Sequence, residues 1–361
     1  MRIELKTTLS SEESNRIARF LAASPHAHIW QNPNSLPIYL YDGRTAFHFV
    51  ATERDEILSY GVFYVDRYKR EAFCLRGPVF ETVQVGRSCI EFLRTEFRRL
   101  GIGQLRISPY WTGADAHALA EIFKPCRLRP YVGGTGVFMK SGRVWLQGTH
   151  KELCDRFSQH TRNELRRGSK AGFEVIRIRD RERATEAYLL HEKLKDRKAL
   201  SSVPRREFEE LCDRVLFSDH LGALFNAYIA GRLVGTFWVA RANDCVALAV
   251  GYAIDNEFMR ASYRSYRIGV PLWGAGMKWG KDEGCEWFDV EGYDENATQT
   301  SPMYGVYKFK RQFRPKPIDI VAEHVGVCHW PKYALYQMSH SWRRLLNVRR
   351  KLLAGRLIIR L

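Results

Sequence analysis

The stretch from Val270 to Val290, VPLWGAGMKWGKDEGCEWFDV, decides the fold class. Its first part reads as a helix running through Gly284, and EWFDV (286–290) reads as the strand that follows. Upstream, Gly231-RLVGTFWV-Ala240 holds a turn and then a strand. The same order occurs once before: Tyr60-GVFYV-Asp66 is a strand candidate, VGRSCIEFLRTEFRRLG (85–101) a helix through Gly101, and QLRIS (104–108) a second strand. The two copies lie roughly 180 residues apart, the signature of a domain-scale duplication. Strands and helices alternating in this way predict an α/β chain rather than a bundle or a sandwich.

A chain of 361 residues is long enough for two such units, expected over residues 1–150 and 151–325, with a tail over 326–361. The second unit opens with GTHKELCDRFSQHTRNELRRGSKAGFEVIRI (148–178), where Leu153, Phe157 and Leu165 fall at helical intervals before Gly172. Phe173, Val175, Ile176 and Ile178 then form a strand candidate. From His324 onward there is no acidic residue and there are eight Lys or Arg. In that tail Trp342, Leu345, Leu346, Leu352, Leu353 and Leu357 share a helical face away from Arg343, Arg350, Lys351 and Arg360. Such a helix suits an anionic membrane surface or packing on the second unit.

An apolar share of 45% excludes a disordered chain. The 57 Lys and Arg against 40 Asp and Glu give a charge of +17, which favours polyanionic partners such as tRNA, nucleotide-sugars or anionic lipid. Eight scattered cysteines without a Cys-x-x-Cys pair, and no His cluster at ligand spacing, predict reduced thiols and no metal site. The amino-terminal MRIELKTTLSSEESNR has no apolar core of a secretory signal, and no apolar run is long enough to span a bilayer. A cytoplasmic protein is expected, peripheral at the inner face of the membrane if the tail binds lipid.

Four features carry candidate chemistry. Arg98-Arg99-Leu100-Gly101-Ile102-Gly103 has the letters of a coenzyme A phosphate turn, but it follows a helix instead of opening one, so no coenzyme A cofactor is expected from it. Arg162, Arg166, Arg167 and Lys170 are spaced to converge on phosphate oxygens from one helix, or to form a solvated face. Ser301-PMYGVYKFKRQFRPK-Pro317 interleaves Tyr304, Tyr307, Phe309 and Phe313 with Lys308, Lys310, Arg311, Arg314 and Lys316, a pattern suited to stacking bases and meeting phosphates. As a strand it would place Tyr307 and Phe309 on one side and Lys308 and Lys310 on the other. Asp289 and Glu291, at the end of an apolar strand, could orient an amine or accept its proton, or cap a turn.

In order along the chain, Ile29-Trp30-Gln31-Asn32-Pro33, Arg76-Gly77-Pro78-Val79, the 162–170 cluster with Gly172-Phe173-Glu174-Val175, Phe288-Asp289-Val290-Glu291-Gly292 and Tyr307-Lys308-Phe309-Lys310 resemble the Fem-type aminoacyltransferases. The resemblance implies two tandem acetyltransferase-like (GNAT) domains with mixed sheets and a basic C-terminal helix. It implies aminoacyl-tRNA as donor, a nucleotide- or lipid-linked peptidoglycan-precursor amine as acceptor, and no cofactor. Lys310 would stabilise the oxyanion, with Phe309 shaping the site and Asp289 beside them. Arg162, Arg166 and Arg167 would meet the acceptor's phosphates, and Gln31, Glu291 and Tyr307 would contact substrate. Leu36 and Pro37 stand where some relatives carry a phosphate-binding lysine, and the long helical arm of some members is missing, so another envelope glycan or lipid amine suits the acceptor too. An acyl-coenzyme A N-acyltransferase of surface polysaccharide or lipid assembly is the alternative enzyme, and a basic RNA- or membrane-binding protein the non-enzymatic one.

Overall fold

The computed structural model describes residues 1–33, 44–66, 70–131, 138–170, 172–198, 204–263, 266–301, 303–335 and 337–338. The first elements are β1 (Arg2–Lys6), α1 (Ser11–Ala23), β2 (Thr45–Glu53), β3 (Glu56–Asp66), β4 (Glu71–Cys74), β5 (Val79–Phe80), α2 (Val83–Arg99), β6 (Gln104–Ile107), α3 (Gly113–Phe123) and β7 (Arg129–Pro130). There follow β8 (Lys140–Trp145), α4 (His150–Asp155), α5 (Gln159–Lys170), β9 (Phe173–Ile178), α6 (Arg181–Lys198), α7 (Arg205–Leu211), β10 (Gly222–Ile229), β11 (Arg232–Asn243) and β12 (Val246–Ile254). The chain closes with α8 (Asn256–Ser262), α9 (Gly269–Asp282), β13 (Trp287–Asp289), α10 (Tyr304–Arg311), β14 (Lys316–Asp319) and β15 (His324–Val327).

Two mixed sheets result. One runs β1-β2-β3-β4-β6-β15-β7 with β5 beside β3, the other β14-β8-β13-β12-β11-β10-β9. Each contains one parallel pair among the described residues, β4 with β6 and β12 with β13, and each pair is joined through a helix, α2 or α9. A parallel pair needs such a crossover, so the strand-helix-strand order read from both sequence copies is the order that builds it. Chain and sheet do not change over at a single residue. Strand β8 already lies in the second sheet, whereas β15 returns to the first between β6 and β7.

Both faces of each sheet are covered. In the first sheet, Phe63, Leu93, Phe97 and Leu119 pack on one side and Ile17, Leu21, Tyr60 and Tyr64 on the other. In the second sheet, Phe237 and Phe288 pack with Trp273 of α9 on one side, and Trp238 and Leu248 pack with Phe208 of α7 on the side that α6 also covers. Small residues let α9 lie close to β11: a Cβ on Gly276 would come within 2.5 Å of the Phe237 ring. The helix expected ahead of Gly172 is two helices, with the expected strand following as β9. The Ser158 hydroxyl accepts from the Thr161 amide at 3.1 Å, and this cap starts α5 afresh after α4. No helix of the described residues is long and apolar enough to cross a membrane. Most of the tail, from residue 339 on, lies outside the described residues, as do Leu36 and Pro37.

Candidate active site

The carboxyl ends of the two parallel pairs meet. In the second sheet the pair closes at Leu248 opposite Asp289, after which β12 runs on to Ile254 paired with β11 only and leaves a gap on its β13 side. Such a strand end is where open α/β sheets offer room to ligands. The first sheet's pair closes at Cys74 opposite Ile107, and the residues just beyond, Arg76 and Tyr110, reach across to the second half.

Helix α10 lies beside this junction. The sequence allowed Tyr307 to Arg311 as a strand with Phe309 and Lys310 on opposite sides, but they are helical and both turn inward with Phe313. Alternating aromatic and basic residues satisfy a period of two and, at 309, 310 and 313, a helical stripe as well. Packing selects the helix: Phe313 is buried against Trp273 at 5.7 Å between ring centres, and Phe309 lies 5.5 Å from Phe313 and 5.4 Å from Trp273. The Gln312 carbonyl at the end of α10 accepts from Ser158 N and Thr161 Oγ1 at the start of α5.

Lys310 is 8% exposed. Its ammonium donates to the Gly292 carbonyl at 3.0 Å and to the Glu291 carbonyl, leaving its third N–H without a partner among the described residues. Glu291 and Gly292 both take left-handed backbone, φ 50° and 59°, which brings two successive carbonyls onto one cation. The rings of Trp273 and Phe138 stand 5.9 and 6.0 Å away. Burial pulls the lysine's pKa from the ordinary 10.5 down to about 8, and the carboxylates of Glu291 and Asp289 work in the opposite direction.

Around it runs a buried polar seam. The Glu291 carboxylate accepts from Arg76 Nη2 at 3.0 Å and lies 3.0 Å from His28 Nε2. Burial opposes its charge, but Arg76 and His28 outweigh burial and hold its pKa below the usual range. Burial also lowers the pKa of His28. Asp289 is fully buried. Its carboxylate accepts from the hydroxyls of Tyr110 and Ser141 and from the Glu291 amide at 2.8 Å, with Arg143 at 3.8 Å. The turn-capping role foreseen for a carboxylate here is what Asp289 performs.

Two cavities flank α10. One of about 250 Å3 has Phe309 in its wall together with Tyr252, Tyr263, Tyr266, Arg260 and Arg267, so it is aromatic and basic. The other, about 410 Å3, has Tyr307 in its wall. Arg167 stacks over Tyr266 at 5.3 Å while bonding Glu164, which places it beside the basic cavity. Arg162 bonds back to the Asp155 and Phe157 carbonyls, and Arg166 is exposed on α5. The side chain of Lys170 lies outside the described residues.

Gln31 does not join this group. It is buried in the first half, donating to the Leu75 carbonyl at 2.6 Å and accepting from Val62 N at 2.8 Å. The amides of Gly101, Ile102 and Gly103 are likewise engaged, with the carbonyls of Arg98, Phe97 and Arg70. Sequence reasoning missed His28, Tyr110, Ser141, Arg143, Phe138 and the Arg260–Arg267 wall. Arg76 stood in one of the quoted motifs, yet nothing in the sequence ties it to Glu291.

Residues 155–311 match the acetyltransferase (GNAT) domain family. The crystal structure of FemX superposes with a TM-score of 0.78 over 93% of this chain and 99% of its own, at 13% identity. L-PGS from Bacillus licheniformis gives 0.56 over 95% and 98%, at 10% identity. A tandem GNAT protein from the clavulanic acid biosynthesis pathway gives 0.52 over 91% and 99%, at 14% identity. No protein of curated function matches the sequence. Fold and domain match define the class: an acyltransferase whose two halves are tandem GNAT folds. Within that class its architecture is similar to that of FemX over nearly the whole length of both chains.

Proposed function

We propose that the protein transfers an aminoacyl group from aminoacyl-tRNA to an amine of a peptidoglycan or other cell-envelope precursor. The observation that carries this reading is Lys310, a buried ammonium with one N–H unpartnered among the described residues, next in α10 to Phe309, which lines a basic aromatic cavity near the end of the β12–β13 pair. The tyrosines and arginines of that cavity suit the unstacked acceptor end of an RNA, whose bases stack and whose phosphates need cations. Arg167 and Arg166 extend the basic surface along α5.

In this reaction the acceptor's neutral amine attacks the ester carbonyl carbon. The new C–N bond forms, negative charge gathers on the carbonyl oxygen, and Lys310 donates its remaining N–H to that oxygen. Collapse breaks the ester C–O bond, and the proton lost by the amine ends on the ribose oxygen that leaves. Phe309 holds the wall against which the acyl group lies. Arg76, His28 and Tyr110 position the Glu291–Gly292 turn, and so position Lys310.

A soluble assay with a labelled amino acid tests the proposal. Transfer to a uridine-diphosphate-linked precursor is expected to require charged tRNA, to stop on ribonuclease treatment and to collapse in Lys310→Ala. Full transfer after ribonuclease treatment overturns it. The acetyltransferase domain match favours a second reading, in which acyl-coenzyme A is the donor. Thiol release dependent on an amine acceptor, in the absence of tRNA, is its signature. Contact of the basic tail with an anionic membrane belongs to the same proposal and predicts sedimentation with anionic but not neutral vesicles.

A further inference from the structure

The second cavity beside α10 differs in charge from the rest of the molecule. In a chain of charge +17, its wall carries Asp294 and Asp319 against a single cation, Lys140. Lys140 Nζ lies 3.7 Å from Asp294. Asp319 sits opposite Lys140 in the β14–β8 register, yet it makes no ion pair or side-chain hydrogen bond among the described residues. Tyr293 is 5% exposed and lines the cavity, and its hydroxyl has no partner among the described residues. That hydroxyl is not sealed in the core but remains accessible, so it is free to meet a ligand in the cavity. Two more rings, Phe138 and Tyr307, stand in the same wall. Phe138 is 44% exposed although it is a large apolar side chain, and its ring also faces the Lys310 ammonium at 6.0 Å.

Two carboxylates, an unmatched phenol oxygen and exposed aromatic faces are together the complement of a primary ammonium on an apolar stem. We infer that this cavity binds an alkylammonium group of a substrate, held by Asp294, Asp319 and the Tyr293 hydroxyl, with Phe138 and Tyr307 packed along its methylenes. The inference rests on the proposed aminoacyl transfer, which supplies two groups of this chemistry. One is the free amino group of the aminoacyl donor; the other is an amino group of the acceptor. Either is brought next to Lys310, and a cation placed beside a second cation needs carboxylates close at hand.

The test is calorimetric binding to the full chain at low salt, independent of any transfer assay. L-Alanine ethyl ester represents the donor's amino group and 1,5-diaminopentane the acceptor's. N-Acetyl-L-alanine ethyl ester and 1-pentanol are their uncharged counterparts. The expected result is that at least one amine binds and its uncharged counterpart does not. Asp319→Asn and Asp294→Asn should each weaken that binding about fivefold to tenfold. Asn keeps the turn that Asp294 makes with the Asn296 amide, so unfolding curves should match those of the unaltered chain. Whichever amine binds names the source. Binding of neither amine, or equal binding by the Asn variants or by the uncharged compounds, overturns the inference. It does so without touching the tRNA assay, which alone decides the transfer reading.

Discussion

Helices α3 and α10 occupy the same place in the two halves, each following the second strand of its sheet's parallel pair, and they bury opposite things. Helix α3 turns Ala116, Leu119 and Phe123 inward, all apolar. Helix α10 buries Lys310. The duplicated scaffold therefore repeats while the chemistry does not. An ammonium inside a protein is costly, and it persists in the second half because a turn at Glu291–Gly292 supplies two carbonyls to it. The first half has no such turn after β6. What it contributes instead are side chains that cross over: Arg76, His28 and Tyr110.

Cutting that crossing is the largest break available. Arg76 is buried, bonds both Glu291 and the Phe138 carbonyl, and leaves a buried carboxylate without its cation if removed. Arg76→Ala is expected to lower stability by about 3–5 kcal/mol, read as a lower urea midpoint. The double variant Arg76→Ala with Glu291→Gln should recover part of the loss, because the stranded charge goes with it. A loss no smaller in the double variant would mean the two halves are not joined through this pair.

Lys310→Met sharpens the contrast between the helices. If the ammonium meets the oxyanion, kcat should fall on the order of a hundredfold to a thousandfold, about 3–4 kcal/mol, while the protein stays folded. Leu119→Ala in α3 should show the reverse pattern. It should destabilise by about 2–5 kcal/mol and leave turnover per folded molecule unchanged. Equal losses of turnover from both would remove the distinction. A smaller effect is expected one step away, at the turn. Gly292 has φ 59°, and a Cβ there would come 2.7 Å from the Phe138 ring. Gly292→Ala should cost about 1 kcal/mol in stability, and by moving a carbonyl that orients Lys310 it should lower kcat more than it raises KM. An unchanged kcat would make the turn structural only.

Much of this scaffold is legible in the sequence, and the reasons are local. The strand Glu56–Asp66, the helix Val83–Arg99 and the strand Gln104–Ile107 have periodic apolar residues, with Gly101 after the helix, and so do their counterparts Arg232–Asn243, Gly269–Asp282 and Trp287–Asp289, with Gly284 after the helix. Lys310 and Phe309 were singled out through the quoted resemblance, but their facing was not legible. Both residues point inward because α10 packs on Trp273 of α9 and is held at its end by α5, some 150 residues earlier in the chain. The seam is unreadable for the same cause at greater distance: Arg76 and Glu291 lie 215 residues apart, and His28 and Glu291 lie 263 apart. Gln31 shows the converse. Its motif is visible, yet the side chain serves the backbone of β3 and the residue after β4, which a linear pattern cannot distinguish from a ligand contact.

The pH dependence of Lys310 separates catalysis from stability because the two move in opposite directions. The folded chain releases this proton near pH 8, the unfolded chain only near the ordinary lysine value of 10.5. Between those values the unfolded state binds more protons, so stability gains as pH rises, and the cost of the buried charge is fully present only below about pH 8. Oxyanion stabilisation needs the protonated form, so kcat/KM should fall toward tenfold per unit above pH 8. Comparing Lys310→Met with the unaltered chain in urea at about pH 7 and pH 10 isolates the stability contribution from the other titrating groups. Lys310→Arg, where active, should keep its charge throughout and lose the descending limb of the rate profile. A descending limb that persists in Lys310→Arg would assign the titration to another group. Stability and activity falling together above pH 8 would mean that the charged lysine is stabilised where it sits, and α10 would then differ from α3 in structure rather than in chemistry.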